Sequence, residues 1–332
     1  MTANVAGIRL TLESGADLAD RINPRLEELT LTERRGGEAD ELALTLTNSD
    51  GALAVPEAGA ILALAIGWLR GDDVPLGLVD KGRFKVDEIE LSGPPDKVTI
   101  RARSADLAGA YTVRRTQSWR AVTLGALLGE IAARNGSTAR VHPDLTGRQI
   151  ETIEQHGKSD MAFVMDLGSR YDALATWKDR QLVFLPIGGA TNAAGEPLPR
   201  SLVRRSEAGQ WTFAHTKRDE HDGAEAEYHD PDAGRRRTVG TGGSNPKRLK
   251  RTYASEAEAR QAAESEAARR QRGSHTFDLA PAIADCARQP NERLTLSGWN
   301  SAIDAIDWLI ESIETRMAAG GLTQTLKLES AS

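Results

Sequence analysis

Leucines alternate with polar residues along the last strand-like segment of the chain. In "GGLTQTLKLE" (residues 320–329), Leu322, Leu326 and Leu328 share one side of a two-residue period with Gln324, and charged or hydroxyl side chains occupy the other side. This pattern predicts a strand with one buried and one solvent-exposed face. The preceding run "DWLIESIETRM" and the separator "AAGG" complete a hairpin. Because an isolated hairpin is only marginally stable in water, we expect it to join a larger sheet.

The first third of the chain alternates in the same way. Leu29 and Leu31 precede a Gly-containing turn, after which Leu42, Leu44 and Leu46 continue the period, and the runs "ILALAIGWL", "GRFKVDEIELSG" and "KVTIRARS" follow. Short strands bounded by Gly, Pro or Asp predict a small barrel or sandwich. We assign this first β domain to residues 1–112.

The middle of the chain is predicted to contain helices. "TLGALLGEIAARNG" has Thr123 as N-cap, one apolar face and an Asn-Gly end. "SDMAFVMDLGSRYDA" predicts a second helix, capped by Ser159 or Asp160. A hairpin turning at residues 178–180 and the strand "QLVFLPI" come next. These elements form a small α/β domain over residues 113–190.

Residues 191–332 are predicted to form a second β domain with one Ala-rich helix over residues 255–272. Ser255 and Glu258 have capping-box spacing, and Gly273 is placed to end the helix. Its apolar face is almost entirely alanine, so we expect it to lie close and flat on a sheet. The predicted fold class is therefore α+β, mostly β, with an α/β domain between two β domains.

Composition narrows the possible functions. The 332 residues are 39% hydrophobic and 27% charged, with a formal net charge of −6 and a pI near 5.7. This acidic balance argues against a dedicated nucleic-acid binder. The N-terminus lacks a signal-peptide pattern, and the most apolar window, "GAILALAIGWLRG", is shorter than the ~20 residues that span a bilayer, so we expect a soluble protein made in the cytoplasm. The single cysteine, Cys286, is interpreted as a small hydrophobic side chain.

The richest group of potential metal ligands lies in the second half. His215, His221 and His229 occur there with Asp222 and Asp230. Metal-binding histidines on one helix or strand are usually two or four residues apart, whereas these are separated by six and eight residues with a Gly-containing turn between them. We therefore interpret them as solvated residues at hairpin tips.

Two further segments suggest ligand binding only weakly. "GTGGSNPK" (residues 240–247) lacks the Gly-Lys-Ser/Thr ending of a phosphate loop and is interpreted as a mobile connection. The basic runs at residues 235–237 and 247–251 lack interleaved aromatic residues and are interpreted as solvated or partner-facing surface. No Gly-x-Ser-x-Gly elbow is present. We assign no catalytic, cofactor-binding or metal-binding residue, and we expect no cofactor and no enzymatic activity.

The order of the segments resembles the phage late control gene D family, the baseplate hub proteins of contractile tails. In that family a glutamine and a Ser-Asp pair open a helix, which is followed by a tyrosine-containing turn and a strand. Here these features are Gln155, Ser159-Asp160, Tyr171 and residues 181–185. The later stretch from "KRLKRTYASEAEARQAAESEAARRQRGSHTFDL" to the final hairpin is also similar. The segment "APAIADCARQPNERLTL" departs from the family pattern, in which a Gly-Pro-rich stretch is expected.

This resemblance implies a structural hub related to the hub portion of type VI secretion spike proteins. It implies two tail-tube-like β-barrels per chain, with the α/β domain between them and the terminal hairpin closing the second barrel. A homotrimer would then present six barrels, adapting the hexameric tail tube to the trimeric tail spike protein. The implied partners are the tube protein, the spike protein, other baseplate components and DNA, which passes through the lumen without specific binding. The implied location is the virion tail baseplate, assembled in the cytoplasm of the bacterial host.

Two alternatives belong to other functional classes. A tail-associated cell-wall hydrolase would need a catalytic fold, for which the three predicted domains leave no segment. A type VI-like secreted spike component would need a C-terminal needle or effector, whereas we expect this chain to end with the barrel hairpin. An infectious phage, a tail-derived bacteriocin and another contractile device would all use such a hub.

Overall fold

The structure is a computed structural model of the chain. It describes residues 3–36, 38–54, 56–104, 110–178, 180–189, 191–198, 200–215, 221–231, 233–272 and 274–331.

The first third forms strands whose leucines point to one side, as predicted. Its elements are β1 (Val5–Leu12), α1 (Ala19–Ile22), β2 (Leu26–Arg34), β3 (Glu41–Thr47), β4 (Ile61–Arg70), β5 (Gly77–Ser92) and β6 (Lys97–Ser104). Leu29 and Leu31 on β2 and Leu42, Leu44 and Leu46 on β3 are buried. The period of two therefore placed this part of the core correctly.

The middle of the chain is an α/β unit. Its elements are β7 (Arg114–Thr123), α2 (Leu124–Arg134), β8 (Thr138–Val141), α3 (Pro143–Thr146), β9 (Gln149–Ser159), α4 (Asp160–Tyr171), β10 (Ala173–Lys178) and β11 (Gln181–Pro186). The Thr123 side chain accepts a hydrogen bond from the Ala126 amide, confirming the predicted cap of α2. Ser159, and not Asp160, caps α4. The predicted turn between β10 and β11 is present, and its residue Asp179 lies outside the described residues.

The last third divides into two sheets. Its elements are β12 (Ser201–Arg204), β13 (Ala208–His215), β14 (Gly223–Asp230), β15 (Arg235–Gly240), β16 (Pro246–Tyr253), α5 (Glu256–Gln271), β17 (His275–Pro281), β18 (Arg293–Ser297), α6 (Ser301–Asp304), β19 (Trp308–Ala318) and β20 (Gly321–Ser330). Strands β15, β14 and β16 form a separate three-stranded sheet, and the other strands of this third join strands of the first third.

The Ala-rich helix α5 lies on the small sheet, as its composition predicted. Its buried alanines pack in one cluster with Ala224 and Ala226 of β14. Ser255 caps the helix by accepting a hydrogen bond from the Glu258 amide at 3.3 Å. The Glu258 carboxylate does not return to the N-cap: it accepts hydrogen bonds from Arg170 of α4 at 2.6 Å and from the Glu151 amide at 3.3 Å. Gly273, predicted to end the helix, lies outside the described residues.

The terminal hairpin joins the two halves of the chain. A twelve-stranded sheet runs in the order β1-β4-β5-β6-β3-β2-β19-β20-β17-β13, with β12 and β18 attached beside β19. Residues 312–318 of β19 pair antiparallel with residues 28–34 of β2, and β20 pairs with both β19 and β17. The first strand of the hairpin therefore continues the sheet of the first third, a pairing that the expected closure of a second barrel did not include.

Each half of this sheet has its own apolar core. One buried cluster contains the leucines of β2 and β3, and another contains residues of β17, β18, β19 and β20 around Trp308. A third cluster lies in the α/β unit. Residues 283–286, which belong to the last third, pack into the first of these cores.

Candidate assembly surface

The side of the sheet opposite the two cores is polar across eight consecutive strands, from β5 to β13. We call it the polar face, and we define it by the exposed or half-buried residues that alternate with core residues. Register places Thr30 beside Arg316, Thr32 beside Glu314, and Lys327 beside Asp278. The polar face therefore includes Thr30, Thr32, Thr45, Glu88, Thr99, Arg101, Arg103, Asp278, Glu314, Arg316, Thr323, Thr325 and Lys327.

The arginines of the polar face are paired with carboxylates. Arg101 lies 2.9 Å from Glu88 and 3.6 Å from Glu90. Arg316 donates two hydrogen bonds to Glu28, at 2.7 and 2.9 Å, across the junction between the halves. These exposed pairs add little to stability. They do leave a threonine-rich surface of mixed charge, without a continuous basic stripe that would attract phosphates.

The polar face ends at two open strand edges. Within the described residues, β13 pairs only with β17. At the other end, β4 pairs with residues 78–85 of β5, so that residues 87–92 have no strand neighbour other than β6 in the part of the chain that the structure describes. Exposed apolar side chains accompany both edges, namely Leu91 on β5 and Trp211 on β13. Open edges present unpaired backbone donors and acceptors to a partner strand.

A segment of the last third crosses to the first core and holds the halves together. The Trp68 indole donates a hydrogen bond to the Ala284 carbonyl at 2.8 Å. Gln324, buried on the apolar side of β20, donates to the Asp285 carbonyl at 3.2 Å and accepts from the Asp285 amide at 3.3 Å. Cys286 is buried beside this contact, and burial raises the pKa of its thiol to about 11. This segment is the one that departs from the family pattern, and here its role is structural.

A buried ion pair lies beneath the same junction. Lys81 of β5 donates to both carboxylate oxygens of Glu33 of β2, at 3.0 and 2.7 Å. Their side chains are 2% and 7% exposed. Alternation places Glu33 on the apolar side with Leu29 and Leu31, whereas Lys81 turns inward at a bulge of β5 that lies opposite Leu64 and Ala65. Only the fold brings the two side chains together.

Three of the residues that carry the family resemblance form one buried network. The Asp160 carboxylate accepts hydrogen bonds from Arg134 Nε, from Asn135 and from Gln155, each at 2.8 Å. Ser159 positions this carboxylate by capping α4. Arg134 also donates to Gln117 of β7 at 2.6 Å, so the network connects α2, α4, β7 and β9. These residues therefore tie α4 to α2 and to the β7–β9 pair.

Hydrogen bonding keeps the Asp160 carboxylate charged. Burial is the largest influence and raises its pKa, but the hydrogen bonds from Arg134, Asn135 and Gln155 together outweigh burial and leave the pKa below its usual value. The side chain is fully buried. A buried charge of this kind is stable only while all of its partners are in place.

The glycine-rich loop at residues 240–247 is organised around Asp222. This carboxylate accepts hydrogen bonds from the amides of Ser244 and Asn245, at 2.6 and 2.7 Å, and these bonds lower its pKa to about 2. Gly243 has φ of +114°, and a Cβ there would lie 2.4 Å from the Asp222 carboxylate. The amides that a phosphate would need are therefore already bound to a carboxylate of the protein. The interpretation of this segment as a mobile connection is replaced by a hydrogen-bonded loop.

The three histidines considered as metal ligands lie on separate elements. His215 of β13 stacks on His275 of β17 with ring centroids 4.3 Å apart. His221 precedes β14, where its Nδ1 lies 3.0 Å from the Asn245 carbonyl oxygen, and His229 lies opposite Arg236 on the small sheet. In the part of the chain that the structure describes, no group of three or more His, Cys, Asp or Glu side chains has a geometry that would hold a metal ion.

Among the described residues, none of the helices is both long and apolar enough to cross a bilayer.

Comparisons with known proteins agree with this architecture. The probable baseplate hub protein of Escherichia phage 186 is 32% identical over 370 residues, covering 99% of this chain and 94% of that protein. The 43 kDa tail protein of prophage MuSo2 from Shewanella oneidensis shares the fold with a TM-score of 0.65 at 15% identity, covering 98% of this chain and 96% of its own. A component of the Escherichia coli type VI secretion system has a TM-score of 0.57 at 13% identity, covering 92% of this chain and 73% of its own.

The family assignment follows from the sequence matches. The family model described as phage tail baseplate hub (GPD) matches residues 73–321, which confirms the resemblance seen in the order of the segments. Because that match spans most of the chain and the phage 186 relative aligns with nearly all of it, this chain belongs to the phage tail baseplate hub family.

Proposed function

We propose that this chain is the non-enzymatic structural hub of a contractile phage tail or a related injection device, and that three copies form a ring at the baseplate. The observation that carries the proposal is the continuous polar face, which ends at one open edge on β13 and another on residues 87–92. In a head-to-tail ring, the β13 edge of each copy pairs with the β5 edge of the next. A rotation that closes the ring leaves neither of these two edges open.

Two tail-tube-like barrels per chain fit the division of the sheet. Each half contributes six strands and its own apolar core. We propose these barrels for residues 1–112 and 191–332, with the α/β domain of residues 113–190 between them. Three chains would then present six barrels to the hexameric tail tube while keeping three-fold symmetry for the trimeric spike. This arrangement adapts one symmetry to the other, and it also gives contacts to further baseplate components.

The polar face would line the lumen of this ring. Its arginines are engaged by carboxylates, including Arg101 by Glu88 and Arg316 by Glu28. A phosphate would have to displace a carboxylate at each such site, and the gain from counterion release would be correspondingly small. DNA would therefore pass without specific binding. Assembly in the host cytoplasm and residence in the virion baseplate follow from this role.

The native mass of the chain, alone and co-expressed with its candidate spike protein, tests the proposal. We expect a trimer, or a complex of three hubs with three spike chains. Leu91→Asp places a charge at the proposed inter-copy edge, where the native side chain is 66% exposed, and we expect it to give a folded monomer. Leu69→Asp on β4, where the native side chain is 59% exposed, is the matched control and should remain trimeric. A wild-type monomer in both preparations would overturn the proposal.

A further inference from the structure

A groove separates the α/β unit from the small sheet, and its two walls are strands. One wall is β9, which within the described residues pairs only with β7, and the other is β16, which pairs only with β14. Two adjoining cavities, of about 340 and 580 Å³, lie between these strands, and both are lined by Ile153, Glu154 and Arg251. The groove is therefore bounded on both sides by open backbone edges.

The floor of the groove is apolar and its rim is charged. Phe163 and Leu167 of α4 lie on one side of the floor, and Leu249 and Ala262 lie on the other. At one end, the Glu258 carboxylate accepts a hydrogen bond from the amide of Glu151, the third residue of β9, at 3.3 Å and so occupies the edge there. Beyond that position the described part of β9 has no backbone partner on this side.

The rims carry charges of both signs. Glu154 and Lys158 of β9 and Arg251 of β16 line both cavities. Lys158 is paired with Asp166, whereas neither Glu154 nor Arg251 has an ion-pair partner among the residues that the structure describes. The Arg251 guanidinium is instead placed over the Tyr253 ring at 5.6 Å. Charged side chains on an open edge deter indiscriminate strand pairing. These charged side chains still allow pairing with a segment that carries complementary charges.

We propose that this groove binds one extended segment of another tail polypeptide, which adds a strand between β9 and β16 and places an acidic side chain against Arg251. Backbone hydrogen bonds to the open edges supply the binding energy, and alternate side chains enter the apolar floor. The inference rests on the proposed function only in taking the partner from the assembled tail. It assigns a binding role to the small sheet, which the ring of barrels leaves unused.

Site-specific photo-cross-linking in assembled tails tests the proposal. Thr252 on β16 and Thr238 on β15 both lie opposite Glu227, at the two edges of the same small sheet, and both are exposed. Because Cys286 is buried, Thr252→Cys or Thr238→Cys provides the reactive thiol for a benzophenone label. We expect the label at residue 252 to cross-link one segment of a single tail polypeptide, and the label at residue 238 to give no such product. Arg251→Glu should lower the yield at residue 252 by about tenfold, the change expected for loss of one charge-assisted contact.

The outcomes separate this inference from the proposed function. If the labelled chain enters tails but residue 252 gives no product, or the same product as residue 238, the groove does not bind a strand and the inference is wrong. If the chain is absent from tail particles, the proposed function fails first. A cross-link to a second copy of this chain would also overturn the inference, because the groove would then be part of the ring contact.

Discussion

Asp160→Asn should destabilise the α/β unit strongly while preserving the size of the side chain. The carboxylate has no exposure and accepts hydrogen bonds from Arg134, Asn135 and Gln155. An asparagine amide keeps one oxygen as acceptor, but its NH₂ group must then face other donors. Arg134, whose side chain is 19% exposed, loses its counter-charge.

The size of the effect can be worked from these contacts. A hydrogen bond to a charged group contributes about 1.5–3 kcal/mol, and at least two are lost. Breaking a buried pair by removing one charge costs about 3–5 kcal/mol, which agrees with that sum. We therefore expect the free energy of unfolding of the α/β unit to fall by about 3–5 kcal/mol. Hydrogen exchange of the α2 and α4 amides, measured at increasing urea concentrations, would give the loss of stability of this unit.

A matched control lies on the same helix. Asp166 of α4 pairs with Lys158, but its side chain is 54% exposed. Asp166→Asn should therefore cost less than about 1 kcal/mol. Equal effects of the two substitutions would refute the reasoning, because they would show that the buried network adds no more than a surface pair.

The effect of Asp160→Asn should also depend on pH. The folded-state pKa of Asp160 is lowered, so its contribution is complete above the unfolded-state pKa of about 3.9 and is lost as pH falls through the lower folded value. The difference between wild type and variant should therefore be constant from about pH 8 to pH 5 and should shrink below about pH 4. A difference that changed near neutral pH would have another cause.

Three further substitutions test other parts of the structure. Lys81→Met leaves Glu33 buried without a partner and should cost about 3–5 kcal/mol in urea unfolding, whereas the double variant with Glu33→Gln should recover most of this loss. Leu326→Asp buries a charge in the second core and should lower the free energy of unfolding by at least about 3 kcal/mol. Thr323→Asp, on the exposed side of β20, should be nearly neutral. Equal melting temperatures for these two variants would show that the strand is misplaced. Asp222→Ala should speed hydrogen exchange of the Ser244 and Asn245 amides, which this carboxylate binds. In the wild type these amides should stay protected down to about pH 4, because the pKa of Asp222 is lowered to about 2.

Local pattern predicted the elements of this fold better than their partners. The alternating leucines of β2, β3 and β20 and the caps Thr123 and Ser255 were all visible in the sequence, because each depends on residues within a few positions. The pairing of β2 with β19 joins residues nearly the whole chain apart. Period-two alternation does not specify which of several similar strands will be neighbours.

Some polar residues occupy positions where the alternation predicts apolar ones, and only the fold explains them. Gln324 occupies an apolar position of β20, and the structure explains it, because its amide binds the backbone of Asp285 from the crossing segment. Glu33 occupies an apolar position of β2, and the structure explains it because Lys81, at the bulge of β5, neutralises it in the interior. Sequence alone could mark such residues as unusual, but it could not identify their partners.

The junction between the halves would make the proposed hub a rigid adaptor. β19 is hydrogen-bonded to β2 on one side and to β20 on the other, so the backbone ladder crosses the junction without interruption. On the core side the junction is held by the Trp68 contact to Ala284, and on the polar face by the Arg316 pair with Glu28. A change in angle between the halves would have to break several of these contacts together. In the proposed ring, force applied at the tube would therefore reach the spike through the sheet itself, and the polar face would remain continuous for the passage of DNA.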